Sequence, residues 1–306
     1  MDVGAPPRSW WGFRPVPPDP RSIVQLIRDR TLDTQLAALL WLLVEARVPV
    51  IVAAQRGRAG KTTLLEALLD FLPPGTRRID LAGVMETFDW LPHARELGWQ
   101  APPSPEAGTR LRSLDPSTTY LVAAELSDHT PAYTWGDHAR IAIRALTIGY
   151  GLGGTIHASS LEEVLDALHQ PPVALTDDEL SRLGVVLFLR LLPPPPGDAY
   201  TGPLRRVSSA HYIRPLARDE HGHLQRLGPA VLATWSEASD AFEHFAWGVV
   251  TELADRTGRP PGDFEAEVAR RAEYLGGLEH AGVVERAEVR AAIEGFRAVG
   301  QPGSTS

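Results

Sequence analysis

A short apolar run, a glycine-containing loop and a leucine-rich run follow one another directly in this chain, and the loop holds its only lysine. Val48-Pro49-Val50-Ile51-Val52-Ala53-Ala54 is rich in β-branched residues and reads as a buried parallel strand. Leu64-Leu65-Glu66-Ala67-Leu68-Leu69-Asp70-Phe71-Leu72 carries strong helix formers and stops at Pro73-Pro74-Gly75. Between them lies Gln55-Arg56-Gly57-Arg58-Ala59-Gly60-Lys61-Thr62-Thr63. Strand, glycine loop, Lys-Thr and helix is the order that a phosphate-binding loop requires. In such a loop backbone N–H groups converge on phosphate oxygens, and the helix N-terminus adds partial positive charge. Gly57, Arg58, Ala59, Gly60, Lys61, Thr62 and Thr63 are therefore the candidate nucleotide-binding residues. Lys61 would reach the terminal phosphates, and the Thr62 hydroxyl would ligate Mg²⁺.

Of the 30 lysines and arginines, all but Lys61 are arginine. A compact ammonium suits a phosphate nest where a planar guanidinium does not. The bland alternative is a chance survivor in an arginine-biased chain, and the fit of both flanks weighs against it. One position departs from the motif, because Gln55 stands where its first glycine belongs. If that backbone is left-handed, a non-glycine residue costs roughly 1–2 kcal/mol there and weakens nucleotide binding.

The chain has 306 residues, room for about two domains, one with a sizeable core. A net charge of −8 argues against nucleic acid or an anionic membrane as a broad electrostatic partner. The absence of cysteine rules out disulfides, thiolate metal sites and thiol catalysis. No basic segment followed by an apolar stretch opens the sequence, and the run Leu36 to Val44 is about half a membrane span. The expected location is cytoplasmic, with no membrane span.

Residues 1–20 form a proline-rich tail with Trp10 and Trp11, a segment either disordered or docked on something. Residues 21–46 read as two helices. Arg77 to Leu81, Tyr120 to Ala124, Gly153 to His157, Gly184 to Leu192 and Leu204 to Ile213 read as strands. Residues 138–148 and Leu161 to Leu168 read as helices, and 100–117 and Pro193 to Pro196 as breaks. This alternation predicts an α/β core with a mainly parallel sheet over 21–228. From about 229 to 306 the pattern is read as a small C-terminal helical domain, with Phe264, Val268, Ala272, Leu275 and Leu278 on one helical face.

Ligands of open parallel sheets sit at the carboxyl ends of the strands. Two predicted strands end in useful chemistry there, one in Glu125 and one in His157. An acid beside a phosphate-binding loop is where a residue holds the Mg²⁺ shell or orients the attacking water. A lone histidine, by contrast, is more often structural.

Residues 22–215 resemble the RecA-like domain of the type II/type IV secretion and pilus-assembly ATPases. Leu39 to Glu45 is similar to that family's leader helix, and Gly60-Lys61-Thr62-Thr63-Leu64-Leu65 to its P-loop. Val122-Ala123-Ala124-Glu125-Leu126 resembles its Walker B segment. Gly153-Gly154-Thr155-Ile156-His157-Ala158-Ser159-Ser160, its His box, is the most family-specific string. Arg205-Arg206-Val207 resembles the strand after the core, and Arg270-Arg271 with Ala281-Gly282-Val283 resembles the C-terminal helices of archaeal-type members. The resemblance implies a RecA-like P-loop NTPase fold that uses ATP and Mg²⁺. It implies that Glu125, Glu86 and His157 are catalytic, Glu125 through the Mg²⁺–water shell and His157 by sensing the γ-phosphate. Its implied partners are further copies in a homo-hexamer, or a complete secretion ATPase, together with an inner-membrane secretion or pilus platform protein. Nucleic acid is not among them, and the implied site of work is the cytoplasmic side of the membrane.

The departures from the family pattern matter as much. Gly83 and Val84 occupy the places of the family's acidic pair, leaving Glu86 nearby. Ala124 replaces the glycine before the Walker B acid, an insertion spans Ser127 to Tyr133, and Tyr150 replaces the first histidine of the His box. The family's large N-terminal domain, which supplies hexamer contacts and arginines, has no counterpart in the sequence. Arginines acting in trans are worth roughly 10³–10⁵ in rate. Three readings follow: an ATPase powering secretion or pilus-like assembly, slow because of its altered motifs; a nucleotide-binding regulatory partner with weak or no hydrolysis; and a scaffold that has lost its nucleotide.

Overall fold

The computed structural model describes residues 20–100, 114–193, 204–218, 221 and 224–300. The Trp10-Trp11 tail, the prolines Pro102, Pro103 and Pro105, and Pro194 to Pro196 lie outside the described residues. The strands are β1 (Val50–Ala53), β2 (Arg77–Asp80), β3 (Thr119–Leu126), β4 (Gly151–Ile156), β5 (Val185–Leu192), β6 (Leu204–Tyr212), β7 (Ala217–Arg218), β8 (Leu224–Gln225), β9 (Ala230–Ser236) and β10 (Ala241–His244). The described helices are α1 (Ile23–Arg28), α2 (Thr34–Glu45), α3 (Lys61–Leu69), α4 (Asp137–Arg144), α5 (Leu161–His169), α6 (Asp177–Leu180), α7 (Val250–Arg256), α8 (Pro261–His280) and α9 (Arg286–Gly300).

One 8-stranded sheet runs in the order β10-β9-β6-β5-β1-β4-β3-β2, and β7 pairs with β8 in a second, 2-stranded sheet. The strands β5, β1, β4, β3 and β2 are mutually parallel. β6, β9 and β10 extend the sheet antiparallel beyond β5. β1 is buried along its whole length because both faces are covered. Val50 and Val52 join one core with α2 and α3, and Ile51 and Ala53 join the other with α4 and α5. Burial on both faces is why the sequence of β1 is a continuous apolar run rather than an alternating one.

α2 is apolar nearly all round because it is buried nearly all round, with every residue from Leu36 to Val44 inside. Asp33 starts it by accepting a hydrogen bond from Leu36 N. Trp41 stacks on Phe71, with ring centroids 5.2 Å apart, and the Arg271 guanidinium lies 4.6 Å from its ring. Arg271 is 3% exposed and pairs with Glu45 and Glu267. The apolar stripe read along α8 therefore has a charged member at its centre. Phe264 and Leu275 are buried as expected, with Arg271 between them.

The expectation that the chain turns helical after 228 is corrected. Ala230–Ser236 and Ala241–His244 are strands of the main sheet, and the helical segments start at Ala246. Their sequence hid them: β9 alternates only loosely and β10 is short, charged and half-exposed at the sheet edge. The turn between them carries Asp240 at φ 44°, a left-handed conformation that a short acidic side chain tolerates. Asp240 grips the Arg206 guanidinium with both oxygens, at 2.8 and 3.0 Å, and accepts from Trp235 Nε1 at 2.9 Å.

The hydrogen bonds from Arg206, aided by Trp235 and Arg30, hold the Asp240 carboxyl well below the usual carboxylate range. A depressed folded-state pKa contributes stability that is present above the unfolded value, about 3.9, and is lost as the pH falls through the folded value. Asp240→Asn is expected to melt below wild type at neutral pH, with the gap narrowing as the pH drops below about 4. A gap that stays constant through the acid range in thermal melts would contradict the clamp.

Candidate functional site

β1 delivers the loop. Ala53 pairs with Ile156 of β4, and Ala54 N donates to the Ile156 carbonyl at 3.3 Å. Leu126 of β3 pairs with the same Ile156. Three neighbouring parallel strands therefore leave the sheet at one level. The segment Gln55 to Gly60, residue Glu125 and residue His157 all lie at that end.

The loop closes on Gly60 (φ 96°), which stands before the first turn of α3 with no side chain capping the helix. Uncapped N–H groups at a helix start suit an anion. Gln55, Arg56, Gly57 and Arg58 are exposed, and Thr62 and Thr63 are half-buried. Gln55 does not have a positive φ; the left-handed non-glycine residue of the loop is Arg58, at φ 60°. The strain anticipated at the first motif position therefore falls three residues later.

Lys61, 7% exposed, turns into the sheet end rather than into solvent. Its Nζ lies 3.2 Å from Glu125 Oε1 and 3.4 Å from His157 Nε2. His157 Nε2 is itself 3.6 Å from Glu125 Oε1. Glu125 Oε2 accepts from the Thr155 hydroxyl at 2.6 Å. Its Oε1 is buried and meets Lys61 as an ion pair without an aligned hydrogen bond. A buried carboxylate with a spare acceptor beside a buried ammonium is a high-stakes pair, since removing either leaves an uncompensated charge.

A bulge aims Glu125. Pairing of β3 with β4 runs regularly to Ala123–Gly154 and resumes at Leu126–Ile156, so three steps on β3 match two on β4. Leu121, Ala123 and Leu126 all face the α4–α5 core. Strict alternation would have sent Glu125 into that core with Leu121 and Ala123. The extra residue returns it to the α3 face, where Thr155 and Lys61 meet it.

β4 is glycine-rich for packing. A Cβ on Gly151 would lie 2.3 Å from the Tyr120 ring, and one on Gly153 would lie 3.0 Å from Leu65 of α3. Tyr120 lies across the strand and donates to the Leu152 carbonyl at 2.9 Å. The rest of the His-box string is divided between site and scaffold. His157 joins Lys61, whereas Ser160 caps α5 by accepting from Glu163 N, and Ser159 donates to the Glu163 carboxylate. Tyr150 donates to the Leu114 carbonyl, and burial pushes its hydroxyl up to about 12.

Glu86 is not gathered into this cluster. Its Oε1 accepts from Phe88 N and Trp90 Nε1, and its Oε2 accepts from Ala82 N. The carboxylate organises its own turn. The preceding Gly83 (φ 62°) lets the 127–133 loop dock. A Cβ there would sit 2.3 Å from the Pro131 carbonyl, and Val84 N donates to that same oxygen at 2.9 Å. Where an acidic pair was expected, the chain packs backbone against backbone.

Two residues near the site went unassigned in the sequence. His129, in the inserted loop, meets the His157 ring edge-on with centroids 5.8 Å apart, and its Nδ1 is 3.1 Å from Ser127 Oγ. Arg205 of β6 donates from Nε to the Ala59 carbonyl at 3.2 Å. The Arg205-Arg206 pair was visible as a family-like string, but its reach to the loop needs the sheet order.

No family model matches the chain. Two curated proteins of Methanocaldococcus jannaschii are similar to it. The uncharacterized protein MJ0900 is 27% identical over 176 residues, 55% of this chain and 30% of that protein. The uncharacterized protein MJ1287 is 28% identical over 167 residues, 53% of this chain and 58% of that protein. The chain thus spans less than two thirds of either relative. Among solved structures it is similar to the VirB11 ATPase of the Brucella suis type IV secretion system, in complex with sulphate, at 21% identity and a TM-score of 0.35. That match covers 60% of this chain and 53% of the other. The Legionella pneumophila ATPase DotB matches at 12% identity and the same TM-score of 0.35, over 91% of this chain and 66% of the other. At these scores neither likeness carries weight for function. Among the described residues no helix is long and apolar enough to cross a membrane.

The loop geometry has a direct test. Arg58→Gly is expected to raise stability by about 0.5–1 kcal/mol, the relief of a left-handed residue less the added chain entropy of glycine. Gln55→Gly is expected to lower it by a similar amount, about 0.5–1 kcal/mol, since no strain is relieved there. Urea denaturation of the two variants measures both, and reversed signs would mean that the strain lies at Gln55 after all.

Proposed function

We propose that the protein binds ATP with Mg²⁺ at residues 57–63 and hydrolyses it. The observation that carries this reading is the cluster at the sheet end, where Lys61, at the start of α3, touches both Glu125 and His157. Phosphate oxygens would take over the ammonium from Glu125 and receive N–H groups from the uncapped start of α3. The oxygen donors of Thr62 and Glu125 fit a hard cation, and the spare buried Oε1 of Glu125 gives it an acceptor. These residues would hold Mg²⁺, directly or through water, and the ion would neutralise charge on the β and γ phosphates. Glu125, released from Lys61, would orient a water for in-line attack, and His157 would stand against the same phosphate and report its loss.

The larger role rests on the sequence resemblance alone: a subunit that powers type II/IV secretion or type IV pilus-like assembly, in a hexamer or beside a complete ATPase. One observation favours the weaker-hydrolysis version. Glu86, the nearest acid to the missing acidic pair, already accepts three hydrogen bonds within its own turn.

Lys61→Ala is expected to weaken Mg·ATP binding more than tenfold, since hydrogen bonds to charged groups are worth roughly 1.5–3 kcal/mol each. Because that variant also strands a buried carboxylate, Lys61→Ala/Glu125→Gln serves as its folding-matched companion and should bind no better than Lys61→Ala. Equal binding by wild type and both variants would refute the phosphate-loop assignment. Glu125→Gln alone is expected to leave binding nearly intact while cutting turnover by roughly 10²-fold or more. His157→Ala should spare binding. A wild type that binds Mg·ATP in calorimetry without turnover would support the regulatory version instead.

A further inference from the structure

Arg205 lies against the phosphate-binding loop from outside. Its Nε donates to the Ala59 carbonyl at 3.2 Å, and its Cδ and Nε stand 3.0 Å from where a Cβ on Gly60 would be. The Ala59–Gly60 peptide is not among the cis bonds of the chain. In a trans peptide the carbonyl and the next N–H point in opposite directions. An arginine that fixes the Ala59 carbonyl therefore fixes the direction of Gly60 N–H, on the side of the peptide away from Arg205. Left to itself this peptide has freedom to turn. Ala59 is itself buried, at 2% exposure, but turning the peptide changes only ψ of Ala59 and φ of Gly60, and glycine accepts either sign of φ.

The anchor for Arg205 is its neighbour. Arg206 is 4% exposed and donates from Nη1 to the Arg205 carbonyl at 2.9 Å and to the Asp29 carbonyl at 3.1 Å. Its Nε and Nη2 donate to the two oxygens of Asp240. The turn of the β9–β10 hairpin thus pins the backbone from which Arg205 reaches the loop.

We propose that Arg205 is a positioning residue for nucleotide binding: it presets the Ala59–Gly60 peptide so that Gly60 N–H faces incoming phosphate, with the Asp240–Arg206 clamp holding it in place. This rests on the reading of residues 57–63 as a phosphate-binding loop. The device works through the donor at the ε position and not through the positive charge. Binding to a preset loop avoids the ordering cost of turning the peptide at the moment of association.

Substitutions at Arg205 separate these roles. Glutamine carries an N–H₂ at the same bond distance as Nε and no charge, whereas lysine keeps the charge and puts a methylene at that point. Arg205→Gln is expected to bind a non-hydrolysable Mg·ATP analogue within about twofold of wild type. Arg205→Lys and Arg205→Ala are expected to bind it about fivefold to tenfold more weakly, the scale of one hydrogen bond. In the nucleotide-free protein, the Gly60 amide resonance should move in the lysine and alanine variants and stay near its wild-type position in the glutamine variant. Thermal melts check that all three variants are folded. Lysine binding like wild type while glutamine loses affinity would overturn the proposal in favour of a charge acting on the nucleotide. An unmoved Gly60 amide in Arg205→Ala would overturn it whatever the affinities. If wild type itself binds no nucleotide, the phosphate-loop reading fails, and the amide resonances still decide whether Arg205 sets the peptide.

Discussion

A lysine taken out of water must find a negative partner, and in this chain the partner is Glu125. Lys61 is 7% exposed, and among the described residues the anion it pairs with, Glu125, is 3.2 Å away. At that separation in a protein interior the pair is held by several kcal/mol of Coulomb attraction, set against a desolvation cost of similar size. Such a pair contributes little net stability, but it resists the loss of one member strongly. It is suited to exchange, because an anion that reaches Lys61 replaces one counter-charge with another and frees Glu125. The architecture around it is arranged to bring the two together. β1, β4 and β3 end at one level through Ile156, α3 starts where β1 stops, and Thr155 ties the second oxygen of Glu125.

The parts of this arrangement that follow from local chemistry were legible in the sequence. β-branched Val50 to Val52 had to be a buried strand and the run Leu64 to Leu72 a helix, which in the structure starts earlier, at Lys61, and ends at Leu69. The candidate residues Lys61, Glu125 and His157 were each assigned to strand or helix ends, which places them at the same side of a parallel sheet. Their mutual contact was not legible, because it depends on a register shift. A regular β3 would point Glu125 at the core that holds Leu121 and Ala123, and nothing in Ala123-Ala124-Glu125-Leu126 announces a bulge. The apparent oddity of Ala124 in place of glycine sits inside that irregularity.

Other readings failed where a side chain serves tertiary contacts that the sequence order conceals. Glu86 was singled out because acids were missing nearby, yet Phe88, Trp90 and Ala82 already claim its oxygens. Gln55 drew attention as a missing glycine, but the loop puts its left-handed turn at Arg58. The strands β9 and β10 looked like the start of a helical region, since the apolar residues of β9 alternate only loosely and the edge strand β10 is short and carries Glu243. That hairpin matters to the site, because its turn holds Arg206 and so the strand that carries Arg205.

Because Lys61 is the only lysine, the central claim can be read from a single side chain. Lysine-selective isotope labelling gives one side-chain signal, without assignment by mutation. This signal is expected to move in nucleotide-free Glu125→Gln, where the counter-charge is gone, and in wild type to move saturably on titration with Mg·ATP. A signal unchanged by both the substitution and the nucleotide would contradict the exchange of Glu125 for phosphate at Lys61.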